Sequence, residues 1–246
     1  MAAAAALLGF CLAAAARVWA ADLVDRPVAL AFNTFARRSP IADHGLQAIA
    51  AFDLFQGLPV AALAFGAFAT ASARTRVGLA LGVAGAGAAA IVSRLLQAVL
   101  VGLSRPLVDP ALPFRRPYGG NPDFWRDWSS FPSDHATVVW GFAIATLMVN
   151  RRIGALCVAP ATLSSVARLY CGLHYLTDVL AGILLSTLVI CTLLALSAPA
   201  EERLTAFASR RPALVATLAF LFSAEAATMF TEVRAVGEAT ARNLRN

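Results

Sequence analysis

Long stretches with no charged residue alternate along this chain with short breaks that carry proline, arginine and small polar side chains. Leu54 to Ala73, Val77 to Ser93 and Val179 to Ala200 are uncharged throughout, and the second continues past a single Arg94 to Ser104. Each approaches the roughly 20 residues a helix needs to cross a bilayer. Ala136 to Asn150, Ile153 to Ala167 and Pro212 to Ala224 are shorter. Alone they would read as buried helices of a soluble protein; beside the longer runs they read as further spans. The pattern predicts an all-α fold, a polytopic transmembrane bundle of about six or seven helices, because only helices satisfy the backbone within one segment in lipid.

The opening segment, "MAAAAALLGFCLAAAARVWAAD", is long enough for another span. A cleaved signal would begin with a positive charge, and none precedes Arg17, so a retained helix is expected over a signal-like segment. Leu23 to Gly45 has an apolar face and flanking arginines, which suits an interfacial helix. The chain then divides into an N-terminal helix with this interfacial segment (1–49), a transmembrane core (50–200) and a C-terminal segment with one further helix (201–246). Small residues from Ala84 to Ala90 allow close helix approach. The Pro-, Gly- and Trp-rich stretch after Ser104 reads as a loop, with Trp125 and Trp128 as interfacial anchors.

Composition strengthens this picture. Charged residues make up 14% of the chain and hydrophobic ones 59%, against roughly 25% charged in an average soluble domain. The net charge of +6 comes from arginine alone. In a membrane protein such residues report topology before any nucleic-acid partner, and none is implied here. Arg74 with Arg76, Arg151 with Arg152, and Arg210 with Arg211 all lie at turns. If those turns are cytoplasmic, the stretches from Arg105 to His135 and from Arg168 to Asp178 share the opposite face. Cys11, Cys157, Cys171 and Cys191 lack metal-site spacing and read as small core residues.

Three polar clusters break the apolar pattern on that face: Arg105-Pro106, then "PSDH" from Pro132 to His135, then "RLYCGLHYLTD" from Arg168 to Asp178. Polar groups at the mouth of an apolar helix are costly unless used. His174 precedes Asp178 by four, so the two share a helix face and the carboxylate can orient the imidazole. Two of the chain's three histidines fall in these clusters; His44, beside Asp43 alone, reads as a surface residue.

Arg168-x5-His174-x3-Asp178, with PSDH and an Arg-Pro before it, resembles the three-part signature of the type 2 phosphatidic acid phosphatase superfamily, the lipid phosphatases related to vanadium haloperoxidases. The likeness covers roughly Val77 to Ala200 and departs from the pattern at three places. Ala167 stands where the third motif usually has Ser, and Asp134 where the second usually has Gly, a variant similar to the bacterial prenyl-diphosphate phosphatase branch. Ala98 stands where the first motif has Lys. "FRRP", Phe114 to Pro117, offers a rival first-motif anchor in Arg116; Arg105 is preferred because it follows directly on a span. Arg94, Arg115 or Arg116 are candidates to replace the missing lysine.

The residue types suit phosphoryl chemistry. Arg105 and Arg168 offer bidentate donors to phosphate oxygens, Ser133 a hydroxyl, and the amides around Asp134 to Ala136 a helix N-terminus for an anion. The resemblance implies that His174 attacks phosphorus to form a phosphohistidine, that Asp178 fixes its tautomer, and that His135 protonates the leaving group. It implies no cofactor and no metal. It further implies an integral enzyme of the bacterial inner (plasma) membrane, its site facing the periplasm or exterior, with a phospholipid or polyprenyl diphosphate as substrate and undecaprenyl diphosphate first among them. Phosphatidic acid, phosphatidylglycerol phosphate and transfer of the phosphate to an acceptor lipid are the alternatives. A non-catalytic transporter or scaffold would leave the site inert, yet both histidines, Asp178 and both arginines are present.

Overall fold

The computed structural model describes residues 1–100, 102–120 and 129–228. Trp125 and Trp128 lie outside the described residues. Those residues form eleven α-helices and no strand. They are α1 (Ala2–Trp19), α2 (Asp25–Asn33), α3 (Pro40–Ala51), α4 (Asp53–Gln56), α5 (Leu58–Ala69), α6 (Ala73–Val99), α7 (Asp134–Val149), α8 (Arg151–Tyr170), α9 (Leu176–Ser197), α10 (Glu201–Arg210) and α11 (Pro212–Ala227). Ala2–Trp19, Ala73–Val99, Arg151–Tyr170 and Leu176–Arg210 are long and apolar enough to cross a membrane, and α5, α7 and α11 are shorter apolar helices. The expected six or seven apolar helices are therefore seven.

Local chemistry sets the helix ends. Ser72 caps α6 by accepting the Thr75 amide, and Ser133 caps α7 by accepting that of Ala136. Asn150 ends α7 and, through its side chain on the Ile153 amide, starts α8. One residue thus reverses the chain, and Gly154 lets the two helices meet closely, since a Cβ there would lie 2.4 Å from Leu147 backbone. Arg76 donates to the carbonyls of Phe68 and Ala69 at the end of α5, a cation on the negative end of a helix.

Helices α6, α7 and α9 form the centre. Their contact is made by small residues: a Cβ on Gly141 of α7 would lie 2.5 Å from Ala86 of α6 and 2.6 Å from Ser186 Oγ of α9. Apolar side chains are no better solvated by each other than by lipid, so close approach and dispersion must hold such helices together. Helix α1 lies along α9, with Gly9 against Leu184, and α11 covers α5 and α6 through Phe220 on Phe65 and Phe222 on Gly87.

Two segments differ from expectation. The single interfacial helix from Leu23 to Gly45 is instead α2 and the start of α3, separated by a turn with Arg37 at φ 64° and a Ser39 cap before Pro40. The segment after Glu201 holds two helices, because α10 follows α9 after only a short turn, Ala198–Ala200. Gly78 of α6 faces Val149, and Arg74 pairs with Glu201, so the arginine-rich turns share one end of the bundle. The three polar clusters occupy the other.

Filling the α6–α7–α9 contact is expected to be costly. Gly141→Val should destabilise the protein by about 1–3 kcal/mol through overpacking, while Gly66→Ala, with nothing within 4 Å of its Cβ, should stay within about 0.5 kcal/mol. Thermal unfolding of both in detergent measures this, and equal midpoints would contradict the packing described.

Candidate active site

The PSDH turn is held from three sides. Ser93 and Gln97 of α6 donate to the Pro132 carbonyl at 3.1 and 2.6 Å, and the Ser133 amide donates to the Asp178 carbonyl at 2.9 Å. Gly182 of α9 sits directly beneath: a Cβ there would come within 2.6 Å of the Ser133 carbonyl. The carboxylate of Asp134 is used twice. Oδ1 accepts from the backbone and from Nδ1 of His135, the latter at 2.8 Å, and Oδ2 pairs with Arg94 Nε at 2.8 Å.

This corrects one expectation. The amides of His135 and Ala136 are engaged by the side chains of Asp134 and Ser133, and Ser133 is fully buried as the helix cap. What was expected as an open helix N-terminus for an anion is closed by its own side chains. The cationic surface comes from arginines instead.

The third cluster turns at Gly172, whose φ of 70° favours glycine. A Cβ there would also lie 2.6 Å from the Phe114 ring. The turn aims the Leu173 carbonyl at Arg105, which donates to it at 2.7 Å, and places Arg105 Nη1 3.5 Å from His174 Nε2. His174 Nδ1 lies 2.9 Å from the Ser130 carbonyl. A carbonyl can only accept, so Nδ1 carries the proton and Nε2 the lone pair. Asp178 lies farther away, its Oδ2 3.7 Å from Nδ1, and that oxygen accepts the Tyr175 amide at 2.7 Å. The sequence assigned the orienting role to Asp178. The structure gives the shorter contact to Ser130 and keeps Asp178 paired with the same nitrogen at longer range.

Arg168 donates to the Ala50 carbonyl at 3.1 Å and to Gln56 Oε1 at 2.6 Å. Arg94, Arg105 and Arg168 are near enough to feel one another's charge, and Asp134 is near Arg168. The Nε atoms of Arg105 and Arg168 are buried and make no hydrogen bond. Burial pushes the His174 pKa below its ordinary 6.5, and Arg105 and Arg168 push it the same way, while Asp178 opposes them. His174 is therefore neutral at pH 7. Burial also lowers the pKa of Arg105, yet a guanidinium starts so high that it stays charged.

Arg116 is not brought to His174. It lines a small cavity of about 200 Å³ with Gln47, Ala50, Leu107 and Leu173, on the flank of the residues that hold Arg105 and Arg168. Several contributors escaped the sequence reading of the site, among them Arg17, Ser93, Gln97, Gln56 and the Ser130 carbonyl. Arg17 carried a signal, since a single charge inside an apolar helix is a functional candidate by default. A backbone carbonyl carries none.

The sequence profile of the PAP2 superfamily matches residues 76–201. Undecaprenyl-diphosphatase BcrC of Bacillus subtilis (strain 168) is 38% identical over 61 residues, 25% of this chain and 32% of that protein. YbjG of Escherichia coli (strain K12), named for the same activity, is 43% identical over 56 residues, 22% of this chain and 28% of that protein. The chain thus spans about a third of the length of the curated relatives it matches. A transmembrane PAP2 type phosphatidylglycerolphosphate phosphatase from Bacillus subtilis shares the fold, with a TM-score of 0.55 at 21% identity over 80% of this chain and 96% of that one. The profile takes in slightly more than half of the chain and all three polar clusters, and the chain belongs to the PAP2 superfamily.

Proposed function

We propose that this chain is a membrane lipid phosphatase that cleaves a polyprenyl diphosphate, undecaprenyl diphosphate first among them, through a phosphohistidine on His174. One observation carries the reading. A neutral, buried imidazole presents its unprotonated nitrogen to Arg105, while Arg105 and Arg168 each hold a buried N–H with no acceptor. Unpaired buried donors on charged groups are costly, and a phosphate would satisfy both. The names of the two curated relatives favour the diphosphate.

In this mechanism the Nε2 lone pair of His174 attacks the terminal phosphorus in line with the bridging oxygen. The P–N bond forms as the bond from phosphorus to the lipid monophosphate breaks. Arg105 and Arg168 neutralise the equatorial oxygens, the largest single contribution in such transfers. The Ser130 carbonyl and the Asp178 charge stabilise the ring as it becomes cationic. His135, whose Nδ1 proton is held by Asp134, acts as an acid only when Nε2 carries a second proton, which it gives to the departing oxygen. The neutral ring so formed then draws a proton from the water that frees inorganic phosphate. With arginines supplying the positive charge, the step needs no metal. The site faces the exterior or periplasm, opposite the arginine-rich turns.

Detergent-purified protein in EDTA, offered undecaprenyl diphosphate, phosphatidic acid and phosphatidylglycerol phosphate in parallel, should release phosphate fastest from the diphosphate. His174→Ala should lower that rate by about 10³-fold or more. Release that requires added metal, or that survives the mutation, would remove the histidine mechanism.

Two further outcomes are expected. The acid limb of kcat/KM should lie below pH 6.5, because a lowered His174 pKa keeps the nucleophile neutral further into acid. His135→Ala should slow phosphatidic acid more than undecaprenyl diphosphate, since an alkoxide needs its proton more than a departing phosphate does. Initial rates across pH and across the two substrates measure both.

A further inference from the structure

Arg17 lies in α1, outside residues 76–201 that the family profile covers, and is 7% exposed. Its guanidinium reaches the third polar cluster and the residues that lead into the other two. Nε donates to Asp178 Oδ1 at 3.2 Å, while Nη2 donates to the Ser104 carbonyl at 2.8 Å and to Ser130 Oγ at 3.3 Å. Ser104 immediately precedes Arg105, and Ser130 supplies the carbonyl that fixes His174. The same guanidinium stacks over the Tyr175 ring at 4.4 Å and lies 3.9 Å from Asp25 Oδ2. Asp25, fully buried, caps α9 by accepting from the Thr177 amide and hydroxyl.

We propose that Arg17 is a positioning residue of the phosphatase site, acting through Asp178 and the Ser130 carbonyl to keep the His174 lone pair aimed at the substrate phosphorus. The geometry is that of a fork. A planar guanidinium can serve a carboxylate and two further acceptors in fixed directions, which an ammonium cannot. Asp178 keeps only a long contact to His174, 3.7 Å from Oδ2 to Nδ1, so its carboxylate has to be held in place by other partners, and Arg17 does so on Oδ1 while the Tyr175 amide occupies Oδ2. Without the fork, Asp178 is free to take the Nδ1 proton bond from Ser130 and swing the ring. Helix α1 then belongs to the catalytic unit and is more than a membrane anchor.

The charges that face this arrangement are Asp178, Arg105, Arg168 and His135 around His174, with Arg17 and Asp25 behind Asp178. Removing the Arg17 charge leaves the negative field of Asp178 on His174 unopposed. His174 then holds its proton to higher pH.

The inference rests on the phosphatase reading, so the test uses wild-type protein on whichever lipid it hydrolyses. Arg17→Gln should lower kcat by about 10- to 100-fold, the usual cost of losing a group that orients a functional residue, with KM within about 3-fold. Its acid limb should move to higher pH, and the loss in kcat should largely vanish when the substitution is made in Asp178→Asn. Arg17→Lys should restore the wild-type acid limb but not the wild-type kcat. An unshifted acid limb in Arg17→Gln, or an equal loss in the Asp178→Asn background, would overturn the proposal. Should Arg17→Gln fail to purify as a monodisperse protein, Arg17→Lys decides, and a wild-type kcat in that variant overturns the fork. Wild-type protein that hydrolyses none of the lipids counts against the phosphatase reading itself; Arg17 variants as active as a working wild type count only against the tether.

Discussion

Guanidinium groups buried in a bundle of low charge are the constraint on which this structure depends. Arg17, Arg105 and Arg168 are 7%, 5% and 4% exposed. A buried ion costs several kcal/mol unless a counter-charge and hydrogen-bond acceptors surround it. Arg17 has a full set in Asp178, a carbonyl, a hydroxyl and an aromatic face. Arg105 and Arg168 are treated differently: carbonyls and one amide oxygen hold them in place, Asp134 acts on both only through its field, and each keeps a buried Nε without an acceptor. The protein fixes the position of these two cations and leaves a buried donor on each, the feature on which the proposed phosphate binding rests.

The packing exists to keep that arrangement fixed. Ser133 is joined to the Asp178 carbonyl, Pro132 to Ser93 and Gln97, and Leu107 to the Gly172 carbonyl at 2.9 Å. These contacts tie the loop after α6, the start of α7 and the start of α9 into one plate. Gly182 lets that plate sit directly on α9. A side chain at this position would lift Ser133, and with it the imidazole of His135, by a distance that the proposed phosphoryl transfer does not tolerate.

The departures from the family pattern become intelligible together. Ala98 gives up a lysine, and Arg94, one turn earlier on α6, brings a cation to the same turn. Asp134, where glycine is usual, takes that cation on one oxygen and His135 on the other. An arginine beside two others would otherwise add repulsion, and Asp134 offsets it while orienting the ring.

Uncharged runs of spanning length determined the all-helical membrane fold in advance, because lipid admits no other pattern so simply. Spacing alone put His174 and Asp178 on one helix face, and the clustering of Arg105, PSDH and Arg168 to Asp178 between spans marked one end of the bundle as chemical. Only the tertiary structure set Arg105 rather than Arg116 against His174. It also added the Ser130 carbonyl as the nearest partner of His174 Nδ1, ahead of Asp178, and closed the amides of α7 with their own side chains. The physical reason is the same in each case. A backbone carbonyl has no sequence signature, and the choice among several arginines depends on how loops fold back. The partner of Asp178 is 161 residues away on a helix brought beside α9 by packing. The sequence named the ionisable groups, and the helix contacts decided which of them share a field.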